Sequence, residues 1–371
     1  MRFPALDALR AVGALMVVLT HVAFNTGRIN QGWTGAALSR LDFGVALFFV
    51  VSGFLLSRPH FTAAEAGRPQ PGVAHYLWKR ALRILPLYWV VVVVALLVDP
   101  ANRGASVGTW LRHLTLTQLY VDAPLASSLT QMWSLCTEVA FYLALPVLAR
   151  LLARLSTRGV LAGCALLSLL GLGWAGFAGG HLAQWLPAYL PWFAGGVALA
   201  AISAHPAAAA RLDRVAADLA GWWLLGGGLF AIACSDLAGP RLLVPPTAWE
   251  GIAKCALYGA AALCLVLPLI FGEGGRARGW LTTPLAHWLG EISYGVFCLH
   301  MMVLVLGMRL LGIEVFTGSF WGVLGFTLPV SLVLAAASYR WLESPLLRLK
   351  DRGPLARRDP ATSATASSPH H

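Results

Sequence analysis

Residues 6–22 read LDALRAVGALMVVLTHV, and the fold is decided by what this stretch tolerates and what it excludes. From Ala11 to Val22 it is apolar apart from Thr20 and His21, yet Asp7 and Arg10 stand at its start and His21 sits near its far end. No small-residue A-x-A-like cleavage site follows Phe24, so the stretch reads as a retained membrane span rather than a secretory leader. Arg10 and His21 are eleven residues apart, about three helical turns. They therefore share a face and are separated by roughly 16 Å along the axis. An ionisable group inside a span is costly and faces a partner or a cavity.

The rest of the chain repeats this pattern. Of 371 residues, 58% are hydrophobic and only 12% charged, with a mean hydropathy of +0.70. Soluble domains carry about a quarter charged residues, so a water-soluble globule is excluded. Ten stretches approach the ~20 apolar residues that a spanning helix needs. They are 7–26, 43–58, 84–98, 133–153, 159–178, 185–202, 221–236, 251–271, 290–311 and 319–342. The second, third and seventh are short. The segment 107–130 is too polar to span and reads as interfacial or re-entrant. An all-α polytopic membrane protein of about ten transmembrane helices is expected, occupying residues 1–349, with a disordered tail over 350–371 that has little to bury.

Net charge is +11, which in a soluble protein would raise the question of nucleic acid. With both termini in the cytoplasm and ten alternating spans, 20 of the 27 Lys and Arg fall on the inner side and 7 on the outer. That asymmetry satisfies the positive-inside rule and accounts for the charge without nucleic acid. The partner implied is the lipid bilayer, and the location a cell membrane. The six cysteines form no CxxC pair and read as small buried hydrophobes. No His/Glu spacing matches a metal site.

Several polar residues are placed where chemistry would need them. Ser52-Gly53 lies in the second stretch (FGVALFFVVSGFLLSR, 43–58). Gly53 allows close helix approach there, and Ser52 can donate to a neighbouring carbonyl. Arg80 and Arg83 precede Pro86, which starts or kinks the third span. Near Arg10 they form a set able to grip phosphates by forked hydrogen bonds. In WSLCTEVAFY (133–142), Trp133 suits the outer interface, which puts Glu138 at a depth near that of His21. A His21–Glu138 pair is the expected proton-handling unit. Tyr294 and His300 lie deeper in span nine, and Glu343 is expected to pair with an arginine at the inner end of span ten.

Together LDALRAVGALMVVLTHV, FGVALFFVVSGFLLSR, RALRILPLYW, WSLCTEVAFY, EISYGVFCLH and SYRWLESP resemble, in order, the acyltransferase-3 family of integral membrane O-acyltransferases. Arg10 and His21 fall on the family's R-x10-H spacing, and Arg80, Arg83 and Pro86 on its R-x-x-R-x-x-P segment. Trp133, Glu138 and Tyr142 fall on its W-S-L-x-x-E-x-x-F-Y element, and His300 on its late histidine. Val296-Phe297-Cys298 departs from the pattern where relatives often carry a further tyrosine.

The resemblance implies transfer of an acyl group, commonly acetyl, from cytoplasmic acyl-CoA to a hydroxyl of a sugar, a cell-envelope glycan or a macrolide-type small molecule. His21 and Glu138 would be catalytic, Arg10, Arg80 and Arg83 would hold the acyl-CoA, and Ser52, Trp133, Tyr142, Tyr294 and His300 would line the substrate site. No metal is implied. Relatives often add a soluble esterase domain, which is not expected here. The alternative for buried His and Glu is a proton relay in a transporter, for which the hydropathy offers no duplicated halves.

Overall fold

A computed structural model describes residues 3–241, 244–272 and 279–351. Arg2, Arg276, Arg278, Arg352, Arg357, Arg358 and nearly all of the expected tail lie outside the described residues. The described chain is helical, with no β-strand. The principal helices are α1 (Pro4–Asn25), α2 (Gly32–Ser39), α3 (Gly44–Glu65), α4 (Val73–Val98), α5 (Val107–Leu114), α6 (Trp133–Leu152) and α7 (Thr157–Phe177). They continue as α8 (Leu186–Ala204), α9 (Pro206–Val215), α10 (Leu219–Ala233), α11 (Ala248–Ile270), α12 (Pro284–Leu310) and α13 (Phe320–Ser338).

Among the described residues, nine helical stretches are long and apolar enough to cross a membrane, or ten if α9 and α10, bent by 77°, count as one span. The seventh expected span is this exceptional one. Its helix α10 has 15 residues, about 22 Å at 1.5 Å per residue, against the roughly 30 Å of a bilayer core. Helices α3 and α4 are longer than their apolar cores. The basic stretch 79–83 continues α4, so Pro86 lies inside this helix rather than at its start.

Small residues let the helices touch backbone to backbone, the packing available where lipid supplies no hydrophobic drive. A Cβ on Gly53 would lie 2.3 Å from the Phe193 carbonyl oxygen of α8, and one on Gly196 would lie 2.1 Å from that of Val50 on α3. Gly290 of α12 meets the Asp7 backbone of α1 in the same way. The six cysteines are buried and unpaired.

One end of the bundle, the arginine end, is tied by an ionic network. Glu343, 1% exposed, receives the Arg83 guanidinium at 3.5 Å and the Ser338 hydroxyl at 2.9 Å. It sits in a π-helical turn, Tyr339–Glu343, that ends the last long helix. Arg340, the nearer candidate by sequence, is not its partner. Tyr339 donates to Glu291 at 2.6 Å.

At the opposite, histidine end, the polar segment 107–130 forms the short helix α5 and then a loop that folds back into the protein. Ser128 donates to the buried Asp99 at 2.7 Å, which also pairs with Arg309 at 2.8 Å. His113 is fully buried. Its Nδ1 donates to the Thr109 carbonyl at 2.8 Å, and its Nε2 accepts the Ala126 amide at 3.3 Å. Burial holds the His113 pKa below the ordinary histidine value. A depressed pKa means the opened segment binds the proton more readily than the folded one. The stability His113 contributes is therefore lost as pH falls below about 6.5. Limited proteolysis of residues 115–130 should accelerate between pH 7.5 and pH 5 in wild type, and His113→Gln should flatten that dependence. An equally steep profile in the variant would remove His113 as the cause.

Candidate active site

Seven of the ten candidate residues meet in one cavity of about 410 Å³ toward the arginine end. Arg10, Ser52, Arg80, Arg83, Glu138, Tyr142 and Tyr294 all line it. Helix α1 contributes Arg10, α3 Ser52, α4 the two arginines, α6 Glu138 and Tyr142, and α12 Tyr294. Two cations that the motif reading did not single out, Lys79 and Lys350, also line the wall. Lys79 was legible as the residue before Arg80. Lys350 reaches the cavity because residues 348–351 lie across α4, where Trp78 Nε1 donates to the Leu349 carbonyl at 3.3 Å.

The cations are not equally committed. Arg83 is held by Glu343, donates toward the Glu291 carbonyl at 3.4 Å and covers the Tyr294 ring at 5.5 Å. Among the described residues, Arg10 has only a 3.9 Å contact with Asp7. The Nε of Arg80 is buried with no hydrogen-bond partner among the described residues. Among the described residues, five cations thus face one lining carboxylate, Glu138, a balance that suits a polyanion.

Glu138 does not pair with His21. Its Oε1 accepts the Ser52 hydroxyl at 2.6 Å and the Tyr142 hydroxyl at 2.6 Å. Ser52 therefore bonds a carboxylate rather than the backbone carbonyl expected for it. The depth argument failed at Trp133. Ahead of α6, Leu129 and Met132 are fully buried and Gln131 is 2% exposed, while Thr130 between them is exposed. Trp133, which opens α6, is half-buried. Trp133 and His21 line the same second cavity. Glu138 lies five residues, about 7.5 Å, closer to the arginine end. The Tyr294 hydroxyl is taken by the Ile84 carbonyl at 2.7 Å.

His21 stands between two cavities at the histidine end. One, of about 490 Å³, is walled mainly by apolar side chains, including Phe24, Met301, Val305 and Met308, with Arg309 at its edge. The other, of about 650 Å³, is lined by Asp122, Thr130, Trp133, His181 and Gln184. His300 lines none of these three cavities. It is fully buried, and its Nε2 lies 3.1 Å from His21 Nδ1. Phe297 connects the two ends, lining the arginine-end cavity, packing edge-on against Phe48 and lying against the His300 ring at 6.0 Å. Asp122, His181, Gln184 and Arg309 carry no motif of their own and become visible only through tertiary placement. Among the described residues, no group of three or more His, Cys, Asp or Glu could hold a metal ion.

Comparison with known proteins agrees with the motif reading. The family model described as an acyltransferase domain matches residues 3–340. The chain is similar to Acyltransferase MdmB of Streptomyces mycarofaciens, 28% identical over 98% of this chain and 95% of that one. It is 29% identical to Nodulation protein 10 of Rhizobium leguminosarum bv. viciae over 42% of this chain and 46% of that one. With O-acetyltransferase OatA of Staphylococcus aureus it shares 30% identity over 46% of this chain but only 28% of OatA. No solved structure matches. A bundle of apolar helices, ionisable side chains gathered inside it and a match over residues 3–340 lead to one conclusion: the chain belongs to the acyltransferase-3 family and is a multi-pass membrane O-acyltransferase.

Proposed function

We propose that the enzyme moves an acyl group, most simply acetyl, from acyl-CoA to a hydroxyl of a sugar, a cell-envelope glycan or a macrolide-type small molecule. The observation that carries the reading is the cluster of Arg10, Lys79, Arg80, Arg83 and Lys350 around a single cavity. Phosphates of CoA are the natural counter-charge for such a cluster, and guanidinium forks grip them strongly. The excess of Lys and Arg on one side supports a cytoplasmic arginine end, with both termini inside the cell.

His21 is then the general base. It lies on the face of α1 that carries Arg10, roughly 16 Å away. The pantetheine arm would have to cross the layer of Phe48 and Phe297 to bring its thioester to His21. The acceptor hydroxyl would arrive from the two cavities that His21 lines. Glu138, with Ser52 and Tyr142 bound to one carboxylate oxygen, serves the donor end as a positioning group rather than as a partner of the base.

Arg80 keeps a buried Nε with no hydrogen-bond partner among the described residues, so its removal should weaken donor binding. Arg80→Ala should raise the Kd for CoA by about tenfold or more in titration calorimetry, corresponding to roughly 1.4 kcal/mol. Arg112→Ala, which removes a half-buried cation at the other end, should leave it unchanged. Equal affinity in wild type and Arg80→Ala would sink the assignment of this cavity to CoA. Transfer of labelled acetyl from acetyl-CoA to a panel of macrolides and glycan oligomers in proteoliposomes tests the reaction itself.

A further inference from the structure

We propose that His300 is a positioning residue which sets the tautomer of His21, leaving the lone pair of His21 Nε2 free for the acceptor hydroxyl. The inference rests on the reading of His21 as the base.

The argument follows the protons. A neutral imidazole carries one N–H donor and one lone-pair acceptor, and backbone carbonyls can only accept. His300 Nδ1 lies 2.7 Å from the Phe297 carbonyl and 3.1 Å from that of Val296. Its proton is therefore on Nδ1. A second proton on Nε2 would make His300 a fully buried cation, and it has no carboxylate within ion-pair distance among the described residues, so Nε2 holds a lone pair. His21 Nδ1 lies 2.9 Å from the Val17 carbonyl and 3.1 Å from that lone pair. Both neighbours accept, so His21 also carries its proton on Nδ1. Its Nε2 is left as the basic nitrogen, with no hydrogen bond among the described residues, in a side chain that lines both cavities at this end.

The arrangement orders the reaction. The acceptor hydroxyl proton moves to His21 Nε2 as its oxygen bonds to the carbonyl carbon of the acyl thioester. The carbon–sulfur bond breaks, and the departing thiolate takes that proton. While His21 is doubly protonated, its Nδ1–H is shared between the Val17 carbonyl and His300 Nε2, so the charge is met by two fixed acceptors. His300 thereby does for the base what a carboxylate does in a hydrolase triad, with a neutral acceptor. Full burial and two occupied ring nitrogens leave His300 no atom with which to touch substrate, so its sequence-based place in the substrate site is replaced by this one.

Two variants separate positioning from mere packing. His300→Phe keeps an aromatic of similar size but offers no acceptor to His21 Nδ1–H. His300→Gln restores an acceptor oxygen. Transfer kcat should fall at least about tenfold in His300→Phe, with KM for donor and acceptor held, and His300→Gln should recover most of that loss. Carbethoxylation of His21 by diethyl pyrocarbonate, followed by mass spectrometry, needs no donor or acceptor. It should slow in the Phe variant and recover in the Gln variant. An unchanged modification rate in His300→Phe would overturn the proposal, as would a Gln variant as impaired as Phe at equal thermal stability. If wild type fails to use acetyl-CoA while the modification rates follow this pattern, the donor reading falls and the tautomer assignment stands.

Discussion

His21→Ala should lower kcat for acyl transfer by about 10²–10⁴-fold, the contribution of a positioned general base, while CoA affinity stays within about twofold of wild type. The separation follows from where the residue sits. His21 lines both cavities at the histidine end and does not line the cation-walled cavity that collects Arg10, Arg80 and Arg83. Removing its imidazole takes away the group proposed to receive the acceptor proton and touches none of the groups assigned to the donor. Purified wild type and variant, compared by single-turnover transfer and by calorimetric CoA titration, provide the check. A variant with activity within tenfold of wild type would remove His21 from the chemistry. A variant that loses CoA binding in parallel would mean that the two ends are not separate sites. The Asn25 amide donates to the His21 carbonyl at 2.8 Å, a main-chain contact that the substitution leaves in place, so α1 should keep its shape.

Gly196→Leu should prevent the protein from folding into a monodisperse, inserted form, or destabilise it by more than about 3 kcal/mol, the upper range for overpacking. The first carbon of any side chain at 196 would lie 2.1 Å from the Val50 carbonyl oxygen and 2.7 Å from the Phe54 amide nitrogen. Both are backbone atoms of α3 and cannot rotate away. The reciprocal position, Gly53, is equally closed by Phe193. Relief requires α8 to move off α3, and α3 carries Ser52, whose hydroxyl holds Glu138. Damage should therefore appear in both stability and donor binding. Gly228→Leu is the matched control, because nothing lies within 4 Å of a Cβ there. Thermal unfolding monitored by fluorescence-detected size exclusion distinguishes them. Equal behaviour of the two variants would show that the α3–α8 contact tolerates separation.

Much of this architecture was open to a reading of residues in order. Apolar run lengths located nearly every long helix, because a helix must satisfy its own backbone in lipid and needs a fixed length to do so. Gly53 announced a close helix contact, and Glu343 an ion pair at its own end of the bundle. The boundaries that misled were those where polar residues prolong a helix, as at Val73–Arg83 ahead of Pro86, and those where a span is short and bent, as at α9 and α10. Hydropathy reports what lipid would accept, not where the helix hydrogen bonds stop.

The charges placed in and beside the spans have the same divided status. That Arg10 and His21 share one face of α1, and that basic side chains gather ahead of Pro86, follows from helical periodicity along single segments. The sequence by itself thus determined the class of protein, its family motifs and the axial separation of arginine from histidine. Only the tertiary structure decided the partners. Glu138 belongs to Ser52 and Tyr142, and His21 belongs to His300, two residues 279 positions apart. The reason is geometric: local pattern orders residues along each helix, but the relative height and rotation of two helices are set where their side chains and glycines meet. Trp133 lines a cavity with His21 while Glu138 lines the cation-walled one, and no periodicity within α6 records that difference.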